Sequence, residues 1–237
     1  MERGQKILFK RSKKVKPIAR KLVTSSNPQT IISEQFRTVR TNIKFSMPNR
    51  EIKTLLFTSS SIGEGKSTIA ANVAIVFAQE GKKVLLIDAD LRKPTMHYTF
   101  LKTISPGLTN LLTSHWNLNQ VVKESGINGL DLITSGPIPS NPAELLALPS
   151  MDMLIKEVKD KYDIIIFDAP PILSVSDAQV LTDKCDGTIL VISSGTTEKG
   201  NAIKAKEVLQ ASKANILGTI LNNYKIGKDH YYYQYYG

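Results

Sequence analysis

The nine residues 60–68, Ser-Ser-Ile-Gly-Glu-Gly-Lys-Ser-Thr, constrain the fold of this chain more than any other segment. They follow a short apolar run and open a stretch of helical character, which is the context that a phosphate-binding loop (P-loop) needs. Glycines let backbone N–H groups turn inward around phosphates, and the N-terminus of the next helix adds a positive dipole end. Ser60 stands where such loops usually have their first glycine. The segment predicts a strand–loop–helix unit that binds a nucleoside triphosphate.

Short apolar runs alternate with helical stretches along the rest of the chain. Strands are predicted at residues 54–58, 83–88, 130–134, 163–168, 188–193 and 216–221, and helices at residues 67–79, 151–161 and 199–212. Apolar strands that alternate with helices are typical of a parallel sheet covered on both faces. We therefore expect an α/β fold of the P-loop NTPase class, a mostly parallel β-sheet with helices on both faces.

Two residues of the loop and three acids supply the predicted chemistry. Lys66 is expected to reach the β- and γ-phosphates, and the Ser67 hydroxyl to ligate Mg²⁺. The runs that end at Asp88 and Asp168 bring these carboxylates to the carboxyl edge of the sheet beside the loop, and Asp90 follows closely. A lone strand-end Asp is often only a turn former, but two of them beside a P-loop favour a functional site.

The predicted ligand contacts form two sets. The nucleotide is expected to contact Gly63, Glu64, Gly65, Lys66, Ser67 and Thr68, with Asn222 or Asn223 at the end of the last strand beside the adenine. Mg²⁺ is expected to be held by Ser67, Asp88 and Asp168. ATP and Mg²⁺ are therefore the expected cofactors.

The net charge of +10 is concentrated near the N-terminus. Residues 1–21 contain nine Lys or Arg against Glu2, and the rest of the chain is nearly neutral. A basic arm fits an anionic membrane surface or a solvated segment, and nucleic acid is not expected because aromatic residues do not alternate with the charges. The lone Cys185 excludes an intrachain disulfide and suits a reducing cytosol. We expect a cytoplasmic protein that is peripheral at the inner face of the cell membrane.

Three segments are expected along the chain. Residues 1–26 form a basic flexible arm, residues 27–222 the P-loop domain, and residues 223–237 a flexible tyrosine-rich tail. Asn27 and Pro28 have the residue types of a helix start. The final seven residues contain five of the eight tyrosines, Tyr231, Tyr232, Tyr233, Tyr235 and Tyr236. Such a cluster is either a set of modification sites or a segment that packs on a partner.

In combination, these motifs resemble the bacterial tyrosine kinases of capsule and exopolysaccharide systems. The resemblance is carried by Gly-Glu-Gly-Lys-Ser-Thr at residues 63–68, Ile-Asp-Ala-Asp-Leu-Arg-Lys-Pro at 87–94, Phe-Asp-Ala-Pro-Pro at 167–171 and the terminal tyrosines. It extends from about residue 22 to the C-terminus. Those kinases are similar in fold to the cell-division and partition ATPases and unrelated to eukaryotic protein kinases, whose signatures are absent here.

The resemblance implies an ATP-dependent protein-tyrosine kinase that phosphorylates its own tyrosine cluster in trans and regulates capsule or exopolysaccharide synthesis. It assigns Lys66, Asp88 and Asp90 to catalysis, with Asp88 placed before Asp90 as base or metal partner. The five tail tyrosines become the phosphoacceptors. The implied partners are a membrane-anchored activator protein that acts through its cytoplasmic segment, further copies of this chain in a ring, tyrosine-containing protein substrates and a cognate phosphatase.

Glu34, Arg37 and Arg40 match the family's Glu-x-x-Arg-x-x-Arg pattern, which implies a contact between subunits. The alternative without a subunit contact is an ion pair between Glu34 and Arg37 on one helix face. Two other functions stay open at this point, a partition-type ATPase switch and an ATP-binding scaffold without kinase activity. The partition ATPases carry an additional lysine early in the loop, and Ser61 stands at that position, which favours the kinase.

Overall fold

Seven strands form a single sheet within the residues that the computed structural model describes, 19–48, 51–114 and 116–225. In chain order they are β1 (Thr54–Ser59), β2 (Val84–Asp88), β3 (Lys123–Ile127), β4 (Leu130–Ile133), β5 (Ile164–Asp168), β6 (Gly187–Ser193) and β7 (Ile216–Asn222). Their spatial order is β3-β4-β2-β5-β1-β6-β7, and only β3 and β4 pair antiparallel. The predicted mostly parallel sheet is confirmed.

Helices connect these strands and cover both faces of the sheet. They are α1 (Val23–Ser26), α2 (Ile31–Phe45), α3 (Lys66–Gln79), α4 (Met96–Thr99), α5 (Leu108–Thr113), α6 (Leu118–Val121), α7 (Pro142–Leu146), α8 (Pro149–Lys161), α9 (Asp177–Thr182) and α10 (Lys199–Ala211). Because successive strand residues face opposite sides, Leu55 and Phe57 pack with α1, α2 and α3, whereas Leu56 packs with α5 to α10. The helices on both faces are thus also confirmed.

The order of the strands positions the predicted site. β1 lies between β5 and β6, so the loop that follows β1 opens at the middle of the carboxyl edge. Asp88 and Asp168 are register partners on the neighbouring strands β2 and β5. The helix that follows the loop, α3, is buried over residues 69–78. A buried helix can hold its N-terminus rigidly against the sheet edge, where the loop needs it.

The strand β3 is absent from the sequence prediction. Its residues, Lys-Glu-Ser-Gly-Ile, show no apolar run, and only Ser125 among them is buried. It pairs antiparallel with β4 at one edge of the sheet, with an irregularity between Glu124 and Ile127. An edge strand needs neither two apolar faces nor regular pairing, because one side of its backbone faces solvent.

Residues before the predicted boundary at residue 26 already pack on the domain. Val23 is buried, and the backbone N–H and hydroxyl of Thr24 both donate to Asn72 Oδ1, at 3.0 and 2.8 Å. The predicted helix start at Asn27 and Pro28 is also displaced. Thr30 is the N-cap of α2, because its extended backbone lets its hydroxyl accept from the N–H of Ser33 at 3.3 Å.

Residues 1–18 and 226–237 lie outside the described residues. They include most of the expected basic arm and tail, and all five candidate acceptor tyrosines. At the start of the expected tail, Asn223 donates from Nδ2 to Ser193 Oγ at 3.0 Å, which ties it to β6. A search of the described residues finds no helix with the length and apolar character needed to cross a membrane.

Asp186 joins the starts of β1 and β6 to the end of α8, and we expect Asp186→Ala to destabilise the fold by about 2 kcal/mol at pH 7. Its carboxylate accepts from the N–H groups of Lys53 and Thr54 at 3.0 and 2.9 Å and from Lys159 Nζ at 3.0 Å. Burial opposes the charge, but these hydrogen bonds outweigh it and lower the pKa of Asp186.

Because the folded-state pKa of Asp186 is depressed, its contribution is present above the unfolded pKa of about 3.9 and is lost as pH falls through the folded pKa. Urea unfolding from pH 7 down to pH 3 measures this difference between wild type and Asp186→Ala. Asp183→Ala is the matched control, since Asp183 is exposed. Equal losses for the two variants would contradict the assigned role.

Candidate active site

Two glycines give the P-loop its shape. Gly63 and Gly65 have φ values of +88° and +91°, a region that favours glycine. A Cβ on Gly63 would meet nothing within 4 Å, whereas a Cβ on Gly65 would collide with Nδ2 of Asn222. That nitrogen donates to the carbonyl of Glu64 at 2.9 Å. The end of β7 therefore packs directly on the loop backbone, and Asn222, expected beside the adenine, donates its side-chain N–H to the loop.

Glu64 holds the loop together from inside. Its Oε1 accepts from the hydroxyls of Ser60 at 2.6 Å and Thr197 at 2.5 Å, and its Oε2 accepts from the N–H of Ser61 at 3.0 Å. The side chain of Glu64 is thus engaged by protein groups, and only its backbone is left for a nucleotide. Ser60 is tolerated in place of the usual glycine because its hydroxyl has a buried partner.

Lys66 meets the acids at the carboxyl edge of the sheet. Its Nζ lies 2.9 Å from Asp90 Oδ2, 3.2 Å from Asp168 Oδ1 and 3.3 Å from Ser67 Oγ. Burial disfavours the ammonium ion, but the carboxylates of Asp168 and Asp90 outweigh burial and raise the pKa of Lys66. The structure thus brings together the basic and acidic residues that the sequence nominates.

The acids differ in depth. Asp88 and Asp168 have no exposed surface, whereas Asp90 is 6% exposed and lines the cavity in front of the loop. Burial and then the neighbouring Asp168 raise the pKa of Asp88 to about 8. Burial also raises the pKa of Asp168, against the opposing effect of Lys66. Two buried carboxyl groups on neighbouring strands do not both ionise easily, which favours a cation between them.

The donor set suits Mg²⁺. Oδ2 of Asp88 accepts from the N–H groups of Thr95 and Met96 at 3.0 and 2.9 Å, but Asp88 Oδ1 and Asp168 Oδ2 are buried without a hydrogen-bond partner. Within the described residues no group of three or more His, Cys, Asp or Glu side chains forms a metal cage. Mg²⁺ seldom uses such a cage, because one or two carboxylates and substrate phosphates usually hold it.

A cavity of about 440 Å³ opens in front of the loop and the acids. Its lining includes Lys66 and Asp90 and, further out, Arg20, Arg92 and Lys93. The sequence analysis missed these three cations. Arg92 and Lys93 follow Asp90 directly in the motif after β2, and this position could have indicated that they lie close to the site.

An ion pair ties the loop after β2 to α9. Arg92 donates from Nε and Nη2 to the two carboxylate oxygens of Asp177, each at 2.9 Å, and the Asp177 side chain is fully buried. The pair spans 85 residues of sequence, so no local pattern indicates it. A bidentate arginine–carboxylate contact fixes both position and orientation. It therefore holds the segment that carries Asp90.

The candidate subunit-contact residues lie on α2, where Glu34 is exposed and Arg37 and Arg40 are partly buried. Arg37 pairs with Glu34 and donates to the carbonyl of Pro28 at 2.8 Å. Arg40 donates to the carbonyl of Val76 near the end of α3 at 2.7 Å. Within one copy of the chain, these arginines therefore already have partners, as the alternative of a pair on one helix face anticipates.

Comparisons with known proteins identify the family of this chain. A family model described as an AAA domain matches residues 52–210. The chain is 52% identical over 218 residues, 92% of its length, to the tyrosine-protein kinase YwqD of Bacillus subtilis, of which it covers 92%.

Solved structures give the same result. The chimerical protein CapA2B2 is 37% identical, with a TM-score of 0.84 over 89% of this chain and 94% of that one. The kinase domain of the Escherichia coli tyrosine kinase ETK is 34% identical, with a TM-score of 0.82 over 88% and 85%. The chain belongs to the bacterial tyrosine-protein kinases, which are built on a P-loop ATPase fold.

Proposed function

We propose that this protein is an ATP-dependent protein-tyrosine kinase that phosphorylates its own C-terminal tyrosines in trans and regulates capsule or exopolysaccharide synthesis. One observation carries the proposal. A buried lysine on a P-loop contacts two carboxylates at a sheet edge, and one of these, Asp90, is open to the cavity. A phosphoryl-transfer site needs this combination of phosphate cradle, charge neutralisation and an acceptor-facing base.

The residues that would hold the cofactors follow from the same geometry. The backbone of residues 63–68 would cradle the phosphates, and Lys66 would exchange its carboxylate partners for the β- and γ-phosphates. Ser67, Asp88 and Asp168 would hold Mg²⁺, whose charge would stabilise the transferring phosphoryl group. Asn222 supports the loop from behind at Glu64 and Gly65.

Asp90 lines the cavity, whereas Asp88 is fully buried, and this difference in exposure favours Asp90 as the carboxylate that faces the acceptor tyrosine. Asp90 Oδ1 accepts from the N–H of Lys93 at 3.0 Å, which orients the carboxylate, and Oδ2 faces Lys66. A tyrosine hydroxyl has a pKa of about 10, so it needs a carboxylate to orient it and accept its proton. In the reaction the tyrosine oxygen bonds to the γ-phosphorus of ATP, the bond to the β-phosphate oxygen breaks, and ADP leaves.

The wider role is inferred from the relatives. We propose that the chain works at the inner face of the membrane, where a membrane-anchored protein activates it through a cytoplasmic segment. Copies would assemble as a ring through Glu34, Arg37 and Arg40, whose contacts within one copy would then have to exchange. Other tyrosine-containing proteins would be substrates, and a cognate phosphatase would reverse the reaction.

Self-phosphorylation tests the proposal directly. Purified protein with Mg·ATP and the cytoplasmic fragment of its activator should acquire phosphotyrosine, and peptide mapping should place it at residues 231–236. Replacing all five tyrosines there with Phe should remove at least about nine tenths of the label while ATP affinity stays unchanged, because the change removes only hydroxyl groups and alters no residue of the phosphate cradle.

Phosphate release without phosphotyrosine, accompanied by ATP-driven dimers, would instead support a partition-type switch. Normal polysaccharide synthesis in cells that carry Asp88→Ala would support an ATP-binding scaffold.

A further inference from the structure

The charged residues along the cavity in front of the P-loop change from a mixed cluster at its base to cations at its mouth. At its base lie Lys66 and Asp90, and Lys66 also contacts the fully buried carboxylate of Asp168. At its mouth lie Arg20, Arg92 and Lys93, all exposed. A phosphate dianion at the base meets carboxylates as well as Lys66, whereas the charged side chains that it meets at the mouth are cations.

We call Arg20, Arg92 and Lys93 at the mouth the basic rim. These three side chains keep most of their hydrogen-bonding capacity. Within the described residues, the side chains of Arg20 and Lys93 have neither an ion pair nor a hydrogen bond, since only their backbone N–H groups donate, to Thr99 and Asp90. Arg92 uses two N–H groups on Asp177, and a guanidinium carries five. The contact with Asp177 thus fixes Arg92 at the mouth and leaves three of its donors available.

The sequence of the tail provides a matching anion. Its five tyrosines fall within six consecutive positions, 231–236, so any phosphorylated tyrosine lies at most five residues from the next acceptor. That separation is at most about 18 Å of extended chain. Each phosphate adds about −1.5 to −2 charge and strong acceptor oxygens. While one tyrosine enters the cavity, a phosphate on a neighbouring tyrosine would therefore be within reach of the cations at the mouth.

We propose that Arg20, Arg92 and Lys93 form a subsite for the phosphate of an already phosphorylated tyrosine, adjacent to the tyrosine that is being phosphorylated. The inference rests on the proposed kinase function and deepens it. The subsite makes each partly phosphorylated tail a better substrate than the unmodified tail, so that phosphorylation of the cluster runs toward completion. Arginine matches phosphate geometry with paired donors, and the lysine adds a point charge.

Two synthetic peptides of residues 225–237 test this. Both keep Tyr233 as the single acceptor, with Phe at the other tyrosines, and one carries phosphotyrosine at position 235. We expect kcat/KM for the phosphorylated peptide to exceed that for the plain peptide by about tenfold, mainly through KM, and the ratio to shrink as salt is raised. In the Arg20→Gln/Lys93→Gln variant the ratio should approach one. Lys204→Gln, which alters an exposed lysine on α10, should keep it.

The outcomes separate the inference from the function beneath it. Equal use of both peptides by the wild-type protein would overturn the subsite and leave the kinase intact. An increase in the KM for ATP with both peptides in the double variant would assign the cations to the nucleotide, and would also overturn it. If neither peptide is phosphorylated, the kinase proposal fails. Fluorescence anisotropy with a non-hydrolysable ATP analogue then decides the subsite separately, and equal affinity for the two peptides would sink it.

Discussion

Lys66→Met will reduce self-phosphorylation by at least about 10²-fold, since it removes the buried cation that neutralises phosphate charge during transfer. Methionine has nearly the length of lysine, so the change deletes charge more than volume. The ammonium of Lys66 lies within 3.2 Å of carboxylate oxygens of both Asp90 and Asp168, and no other cation of the described residues forms an ion pair with these acids. The measurement is the initial rate of phosphotyrosine formation with Mg·ATP and the activator fragment.

The same substitution also tests the packing of the site. Removing one partner of a buried ion pair costs about 3–5 kcal/mol when the remaining charge stays uncompensated. Circular dichroism must therefore show that Lys66→Met is folded at the assay temperature. Lys206→Met, on the exposed side of α10, is the control for loss of a lysine and should keep full activity. Unchanged labelling by folded Lys66→Met would refute the active site assigned to this loop.

Gly65→Ala will abolish measurable ATP binding, whereas Gly63→Ala will only weaken it. Both glycines have a positive φ, so an alanine at either position costs about 1–2 kcal/mol in backbone strain. Only at Gly65 does the new Cβ also collide with Asn222, which adds about 1–3 kcal/mol of overpacking or pushes the loop away from the phosphates. Calorimetric titration with ATP and thermal unfolding of both variants measure the difference.

A double variant isolates the collision. Gly65→Ala/Asn222→Ala removes the amide that the new Cβ would strike, so part of the lost ATP affinity should return. Asn222→Ala alone should weaken binding modestly, because the loop loses the hydrogen bond to the carbonyl of Glu64. If Gly63→Ala and Gly65→Ala bind ATP equally, the packing of Asn222 on the loop is not a reason why position 65 requires glycine.

Much of the site was predictable because its parts are local in sequence. The P-loop combines a strand, two glycines at turn positions and a lysine at a helix N-terminus, and all of these lie within one segment. Asp88 and Asp168 were predictable because each ends an apolar run, and parallel strands bring such ends to one edge. The separate roles of Asp88 and Asp90 were not predictable, because the two side chains differ in exposure only after the chain folds.

The sequence alone predicted six of the seven strands and the loop, because apolar runs and glycine positions act through local conformation and burial, and its motifs carried the resemblance to the family. The tertiary structure alone decided which distant side chains meet. It placed Asn222 against Gly65, paired Arg92 with Asp177, joined Glu64 to Thr197, and packed residues near Val23 on the domain. It also added β3, whose polar sequence becomes a strand only through pairing with β4. Apart from the pairing of β3 with β4, which are neighbours in sequence, these contacts join residues far apart in the chain, and their partners are chosen by packing, which no local pattern encodes.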